Sequence, residues 1–292
     1  MRLVLPADSS LLEAVQTLSP GVSNRTLRQM LQRGQVRLNG TTVKVARQIV
    51  HPGDVVEIAP QGDSRFALGG LKIVFEDSSL LLIEKPAGLL TVATPHEQER
   101  TAFAYLREYL QKRAPKQKLF IVHRLDKFAS GVLVFAKSAS VQEKLQSLFS
   151  SHDIQRKYWA IVEGRVERDQ GTIRTYLAEN RARRMCSVAD GSGGKRAVTH
   201  YHVLRRFPQL TSLEVTLETG RKNQIRVHLA ESGHPIVGDR AYGSRQNPLG
   251  RLGLHAFQLG FKHPVLGTPV LHTTGVPPEF ARYLPVYPCG HG

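Results

Sequence analysis

The chain has 292 residues, 41% of them hydrophobic, which is enough for a packed core and argues against wholesale disorder. Lys and Arg number 40 against 24 Asp and Glu, a formal charge of +16 that favours a polyanionic partner, because each neutralised phosphate releases condensed counterions. Two distant cysteines, Cys186 and Cys289, exclude a disulfide framework and a Cys-rich zinc site, and no apolar run reaches the roughly 18 residues of a membrane span.

At the N-terminus, Pro6 and Asp8 interrupt the chain before a secretory apolar core could form, so a cytoplasmic, reduced location is expected. Ser10 and Glu13 have capping-box spacing, and Leu11, Leu12, Val15 and Leu18 recur at helical period. Pro20 and Gly21 stop that helix. Ser23 can cap a second helix carrying Leu27, Met30 and Leu31, with Gly34 at its end. Gln35–Leu38 before Asn39-Gly40 predicts a strand entering a tight hairpin, and Val55–Ile58 after Pro52-Gly53-Asp54 predicts another. The second helix is basic at Arg25, Arg28 and Arg33, with Arg37, Lys44 and Arg47 close behind. These residues form either a solvated face or a clamp for nucleic-acid phosphates. Residues 1–60 are therefore one small unit, and the polar, glycine-bearing stretch 61–70 is a linker.

Residues 71–292 have a different pattern. Short β-rich stretches occur at 71–76, 80–84, 132–136, 157–163, 199–204 and 212–218. Helical patterns occupy Thr101–Lys112 and Ser140–Phe149, the latter with a Ser140/Glu143 capping box. Clustered strands with irregularly interspersed helices predict an α+β fold.

Two polar clusters stand out. Ile121-Val-His-Arg-Leu-Asp-Lys-Phe-Ala-Ser-Gly131 precedes the apolar strand Val132–Phe135. Asp126 is there either a nucleophile or base, with His123 and Arg124 beside it, or the cap of an ordinary turn. Gly220-Arg-Lys-Asn-Gln-Ile-Arg-Val-His-Leu-Ala-Glu-Ser-Gly233 reads as a helix stopped by its last glycine. Arg221, Lys222 and Arg226 can hold phosphate, pair with a buried acid, or sit on a solvated face. Gly191-Ser-Gly-Gly-Lys195 lacks the spacing of a phosphate-binding loop and reads as a turn. His200 and His202, with His228 and His234, have no Cys or acidic ligand at diagnostic spacing, so no metal site and no cofactor are expected.

Taken in order, several segments resemble the RluA-type pseudouridine synthases. They are Glu84-Lys-Pro-Ala-Gly-Leu-Leu-Thr91, His123-Arg-Leu-Asp126 with Ser130-Gly131, Lys157-Tyr158, Gly220-Arg221 with Gln224-Ile-Arg226-Val-His228, Gly238-Asp239 with Tyr242-Gly243, and Leu254-His255-Ala256. The resemblance spans roughly residues 71–285, and residues 1–60 separately resemble the S-four type RNA-binding domain. Two positions depart from the family's usual pattern: Ala129 replaces Thr and Asn223 replaces His. The resemblance implies a mixed, mainly antiparallel sheet in a catalytic domain over 71–292, beside a small α+β RNA-binding domain. It implies a cofactor-free isomerisation of uridine in RNA to pseudouridine. Large-subunit ribosomal RNA is the expected substrate, with tRNA as an alternative. Asp126 would be the catalytic carboxylate. Arg124 would occupy the space the everted uridine vacates or hold the backbone, Tyr158 would stack on the base, and Ile225 would form an apolar wall. Arg226 would pair with Asp126. RNA is the expected partner, without a membrane, and the chain is expected to be a monomer. The alternative from another class is a non-catalytic RNA-binding or ribosome-assembly protein that retains the fold.

Overall fold

A computed structural model describes residues 2–5, 7–18, 24, 27, 28, 31, 36–39, 41–43, 45–58 and 69–285. The chain divides into two compact units, Met1–Ala67 and Leu68–Gly292.

The first unit contains β1 (Arg2–Val4), β2 (Ser9–Ser10), α1 (Leu11–Leu18), β3 (Val36–Leu38), β4 (Thr41–Thr42), β5 (Ile49–Val50) and β6 (Val55–Ile58). β1, β6, β3 and β4 lie side by side in that order, all antiparallel, and β2 pairs with β5. The expected capping box forms: the Ser10 amide donates to Glu13 Oε2 at 2.8 Å and the Glu13 amide donates to Ser10 Oγ at 3.3 Å. Leu11, Ala14 and Val15 of α1 pack into a core with Leu27, Leu31, Val36 and Val56. Asn24, Leu27, Arg28 and Leu31 are helical, with the two leucines buried four residues apart and Arg28 exposed. Ser23, Met30 and Gly34 lie outside the described residues, as does the expected linker apart from Gly69 and Gly70. Asn39 turns the β3–β4 hairpin at φ 49°. Its side chain donates to Asp54 Oδ1 and accepts from the Val55 amide, both at 2.8 Å, so this turn is tied to the start of β6.

The second unit is built on one mixed sheet, which among the described residues has eleven strands. They are β7 (Lys72–Glu76), β8 (Leu80–Lys85), β9 (Phe120–Ile121), β10 (Ser130–Ala136), β11 (Gln155–Glu163), β12 (Gln170–Glu179), β13 (Met185–Val188), β14 (Lys195–Arg206), β15 (Leu210–Leu217), β16 (Leu254–Lys262) and β17 (Pro269–Thr273). The path runs β13-β12-β14-β15-β11-β16-β10-β8-β7, with β17 beside β16 and β9 beside β10. Every pairing is antiparallel except β10 with β16. The helices are α2 (Ala102–Arg113), α3 (Ala139–Ser150) and α4 (Gln224–Glu231). All seven residues of β10 are buried, as its unbroken apolar run requires of a strand covered on both faces. Among the described residues no helix is long and apolar enough to cross a membrane.

Some local expectations need correction. α3 is capped by Ser138, whose Oγ accepts from the Val141 amide, rather than by Ser140 with Glu143. The helix expected over Gly220–Gly233 is confined to Gln224–Glu231, because Asn223 stands in the left-handed region at φ 54°. β9, β12, β13, β16 and β17 have no counterpart among the expected strands. β12 carries Gly171 and Arg174 and covers only part of each face. β16 is interrupted in sequence by His255, Gln258 and Gly260, and strands on both sides supply its burial. Gly191-Ser-Gly-Gly-Lys195 is the expected turn, joining β13 to β14 with Gly191 and Gly193 at positive φ.

Candidate active site

The Asp126 loop is held by sheet geometry at both ends. β9 and β10 pair through Ile121↔Phe135 and Phe120↔Ala136, so the chain leaves the sheet at 121, turns through 122–129 and re-enters at Ser130. There β10 meets β16 in the one parallel contact, Ser130↔His255 and Gly131↔Ala256. Gly131 has φ 122°, and a Cβ on it would lie 2.1 Å from the Ala256 carbonyl oxygen, so only glycine fits the crossing.

Between these ends, the segment 85–91 grips the loop by its carbonyls. Thr91 Oγ1 donates to the Leu125 carbonyl at 2.8 Å and accepts from the Leu125 amide at 3.1 Å. The Gly88 amide donates to the Lys127 carbonyl at 2.8 Å. Lys85, 1% exposed, donates from Nζ to the carbonyls of Ala129 (2.6 Å), Leu89 (2.7 Å), Pro86 (2.9 Å) and Lys127 (3.2 Å). Burial pushes the amine down to about 7; Arg251 adds to the shift and Asp126 opposes it. The segments Glu84–Thr91 and His123–Gly131 are therefore one construction. Ala129, which departs from the family pattern, is buried and contributes its carbonyl to this cage.

Arg226, on the first turn of α4, reaches Asp126 through Nη1 at 3.3 Å. Its principal partner is a different acid. Nε and Nη2 donate to the two oxygens of Asp239 at 2.6 and 2.8 Å, a bidentate fork to a side chain only 2% exposed. Nη1 also donates to Asn223 Oδ1 at 3.0 Å, and Asn223 Nδ2 donates to the Tyr242 hydroxyl at 3.1 Å. Asn223 thus takes a structural role at its departing position, in a backbone conformation that asparagine tolerates. The Tyr242 ring lies against two guanidinium groups, those of Arg226 at 4.8 Å and Arg184 at 4.5 Å. Burial disfavours the Arg226 charge, but the hydrogen bonds and charge of Asp239, with Asp126 behind, outweigh it and raise the guanidinium pKa further.

His123, Arg124, Asp126, Tyr158, Ile225 and Arg226 all line one cavity of about 620 Å³. Asp126 and Arg226 are 22% and 14% exposed, so the carboxylate is sheltered but not sealed from solvent. Tyr158 and Ile225 are buried walls, and burial pushes the Tyr158 phenol up. Arg124 is exposed. The His123 ring lies tilted against Phe149 with centroids 4.7 Å apart, and its Nε2 accepts from the Val134 amide at 3.2 Å. Burial, then Arg156, pushes it down to about 3, so His123 is a neutral wall group. Of the N-terminal bases, Arg28 and Arg37 are exposed, while Arg25, Arg33 and Lys44 lie outside the described residues.

Behind the loop, Ser130 Oγ and His255 Nδ1 are 2.6 Å apart, and His255 Nε2 is 2.7 Å from Thr274 Oγ1. The arrangement looks like a nucleophile with its base, but all three side chains are buried and Arg251 donates to Ser130 Oγ at 2.6 Å. Burial, then Arg251, holds His255 down at about 4. The group braces the β10–β16 crossing rather than serving chemistry. His228 lies between Thr175 and Thr199, each at 2.9 Å, and His200 pairs with Thr172 and Glu218. Sequence reading assigned no role to Lys85, Asp239 or Arg156; the Glu84-Lys-Pro and Gly238-Asp239 segments were the available signals for the first two.

Comparison with known proteins agrees with this geometry. A family profile described as RNA pseudouridylate synthase matches residues 79–231, and an S4 domain profile matches residues 11–56. The chain is 35% identical over 270 residues to an uncharacterized RNA pseudouridine synthase, YlyB, of Bacillus subtilis, covering 90% of this chain and 88% of the relative. It is 36% identical over 286 residues to ribosomal large subunit pseudouridine synthase D of Xylella fastidiosa (91% and 85% covered), and 33% identical over 288 residues to that of Pasteurella multocida (92% and 88%). Among solved structures, human RNA pseudouridylate synthase domain containing 4 superposes with a TM-score of 0.60 at 27% identity, covering 72% of this chain and 90% of that one.

Proposed function

Because the chain belongs to the RNA pseudouridylate synthase family, we propose that its cavity isomerises uridine in large-subunit ribosomal RNA, with Asp126 as the reacting carboxylate. The observation that carries this reading is the meeting of Asp126 with Arg226, Tyr158 and Ile225 in one recess whose further bases include Arg124, Arg156, Arg196 and Arg221. Support for the ribosomal substrate comes from the relatives named for the large ribosomal subunit and from the S4 match.

The chemistry follows from what the cavity offers. A uridine stacked in RNA cannot reach a recessed carboxylate, so it must be everted at a cost of a few kcal/mol. Tyr158 presents a face to the uracil, worth about 1–3 kcal/mol for a stacked base, with Ile225 as the apolar wall. Arg124, at the exposed rim, is placed to occupy the vacated stack. Asp126 acts on the ribose as nucleophile or base while the bond from uracil N1 to the sugar breaks. The uracil turns, its carbon 5 bonds to the sugar, the proton leaves carbon 5, and N1 gains one. The conversion is an isomerisation and balances with no added group. Arg226 keeps the carboxylate oriented, and Asp239 keeps Arg226 in place. The first unit, with its exposed Arg28 and Arg37, adds grip on phosphates rather than chemistry.

The test is Asp126→Asn on large-subunit ribosomal RNA transcribed in vitro, with pseudouridine mapped by chemical labelling. Conversion is abolished and RNA affinity stays within a few fold of wild type. Undiminished turnover in the variant rules the reading out.

A further inference from the structure

We infer that Arg156 is the receptor for a phosphate flanking the everted nucleotide, a binding residue of the cavity alongside the acid and the stacking ring. The inference rests on the proposed uridine site and adds a subsite to it.

Arg156 lies on β11, two residues before Tyr158, so the two side chains share one face of the strand, and both line the cavity. A two-residue strand repeat is about 6.6 Å, comparable to the separation of a nucleotide's base from its own phosphate. Arg156 as a residue is only 7% exposed, yet the hydrogen bonding of its guanidinium is incomplete. Nη2 donates to the carbonyls of Leu217 (3.3 Å) and Glu218 (3.2 Å), whereas Nε is shut off from solvent with no hydrogen-bond partner among the described residues. The group rests on the Phe149 ring at 5.2 Å. Among the described residues no carboxylate pairs with it as Asp239 does with Arg226, and burial holds the Arg156 pKa below its ordinary value.

The fold also makes room for it. Gly220 carries no positive φ, so backbone conformation does not explain the glycine there. A Cβ at 220 would lie 2.7 Å from Arg156 Nη1, so the bare backbone there leaves the guanidinium its place at the cavity wall, from which a side chain would make its flexible end shift. A buried cation with an unanswered donor is unfavourable in the unbound protein, and an apolar side chain would pack at less cost. With Nε sealed and Nη2 committed to the two carbonyls, Nη1, beside the cavity-lining Gly220 and without a hydrogen bond among the described residues, is the donor left for a phosphate oxygen, and every nucleotide of the substrate brings one.

Uridine, uridine 5′-monophosphate and uridine 3′-monophosphate binding to the full-length protein, followed by titration calorimetry or ligand-observed NMR, tests this directly. Wild type binds one of the monophosphates about tenfold or more tightly than uridine, and the better one identifies which flanking phosphate is held. In Arg156→Gln the monophosphate falls to the affinity of uridine, while uridine itself is unchanged. Arg156→Lys, which keeps the charge but loses the Nη1 donor at its position on the cavity wall, weakens the monophosphate severalfold and spares uridine; it serves also if the glutamine variant does not fold by circular dichroism. Equal affinity for all three ligands in wild type overturns the inference. So does a phosphate preference that survives Arg156→Gln, or a loss that strikes uridine and its monophosphates alike. The uridine-site reading fails separately, through the Asp126→Asn experiment.

Discussion

Asp126 touches Arg226 through one contact of 3.3 Å, whereas Asp239 holds the same guanidinium by a bidentate pair of 2.6 and 2.8 Å. The division suits a reacting acid. The buried charge of Arg226 is balanced mainly by Asp239, which in the proposed reaction leaves Asp126 loosely tethered and open to the cavity. Asp239→Asn therefore harms the site indirectly. Removing one partner of a buried pair costs about 3–5 kcal/mol, and the surviving amide returns part of that by accepting one hydrogen bond. The expected outcome is a lower melting temperature together with a kcat reduced at least tenfold and little change in KM. Unaltered kcat at saturating RNA would show that Arg226 needs no anchor. At this scale Asp126 and Arg226 were legible from motif order. The fork to Asp239 was not, because 13 residues separate the partners and only the packing of α4 against the turn at Arg240–Tyr242 joins them.

At the scale of elements, the parallel contact of β10 with β16 sets where the Asp126 loop ends. Gly131→Ala places a methyl group against the Ala256 backbone and keeps a φ that alanine resists. The two effects together destabilise by at least about 2 kcal/mol, read as a lower urea midpoint at unchanged slope. The loop start shifts with the crossing, so turnover falls as well. A midpoint within error of wild type would show that the crossing can relax. Periodicity and caps were readable where the signal is local: the Ser10/Glu13 box, the β3 hairpin at Asn39 and the buried run of β10. The α3 cap was misplaced by two residues because Ser138 and Ser140 both offer hydroxyls near the same turn, and the chain's entry angle chose between them. β16 escaped because its polar residues are satisfied by neighbours distant in sequence, Ser130 and Thr274 for His255.

Over the whole molecule, buried neutral imidazoles tie stability to pH. Burial, then the charge of Arg251, holds His255 at about 4, and burial, then Arg156, holds His123 at about 3. Both groups lie near 6.5 once the chain unfolds. The unfolded state therefore binds more protons on these two rings between about pH 6.5 and 4, so their contribution to stability is full above that window and is lost as pH falls through it. The melting temperature drops progressively from pH 6.5 to 4. His255→Asn lowers the melting temperature at pH 7 and makes the drop below pH 6.5 shallower; parallel profiles for variant and wild type would exclude His255 as a contributor.

The sequence by itself determined the two compositional regimes, the basic charge, the ordered motifs and, through them, the family and the acid at the centre of the site. Those features depend on residue type and short spacing, which the linear chain displays. Only the tertiary structure decided that Lys85 cages the loop, that Asp239 rather than Asp126 is the main counter-ion of Arg226, and that Arg156 stands buried with an unanswered donor. Each of these is a meeting of residues 13 to 64 positions apart. Such meetings are set by sheet order and burial, which no local pattern encodes.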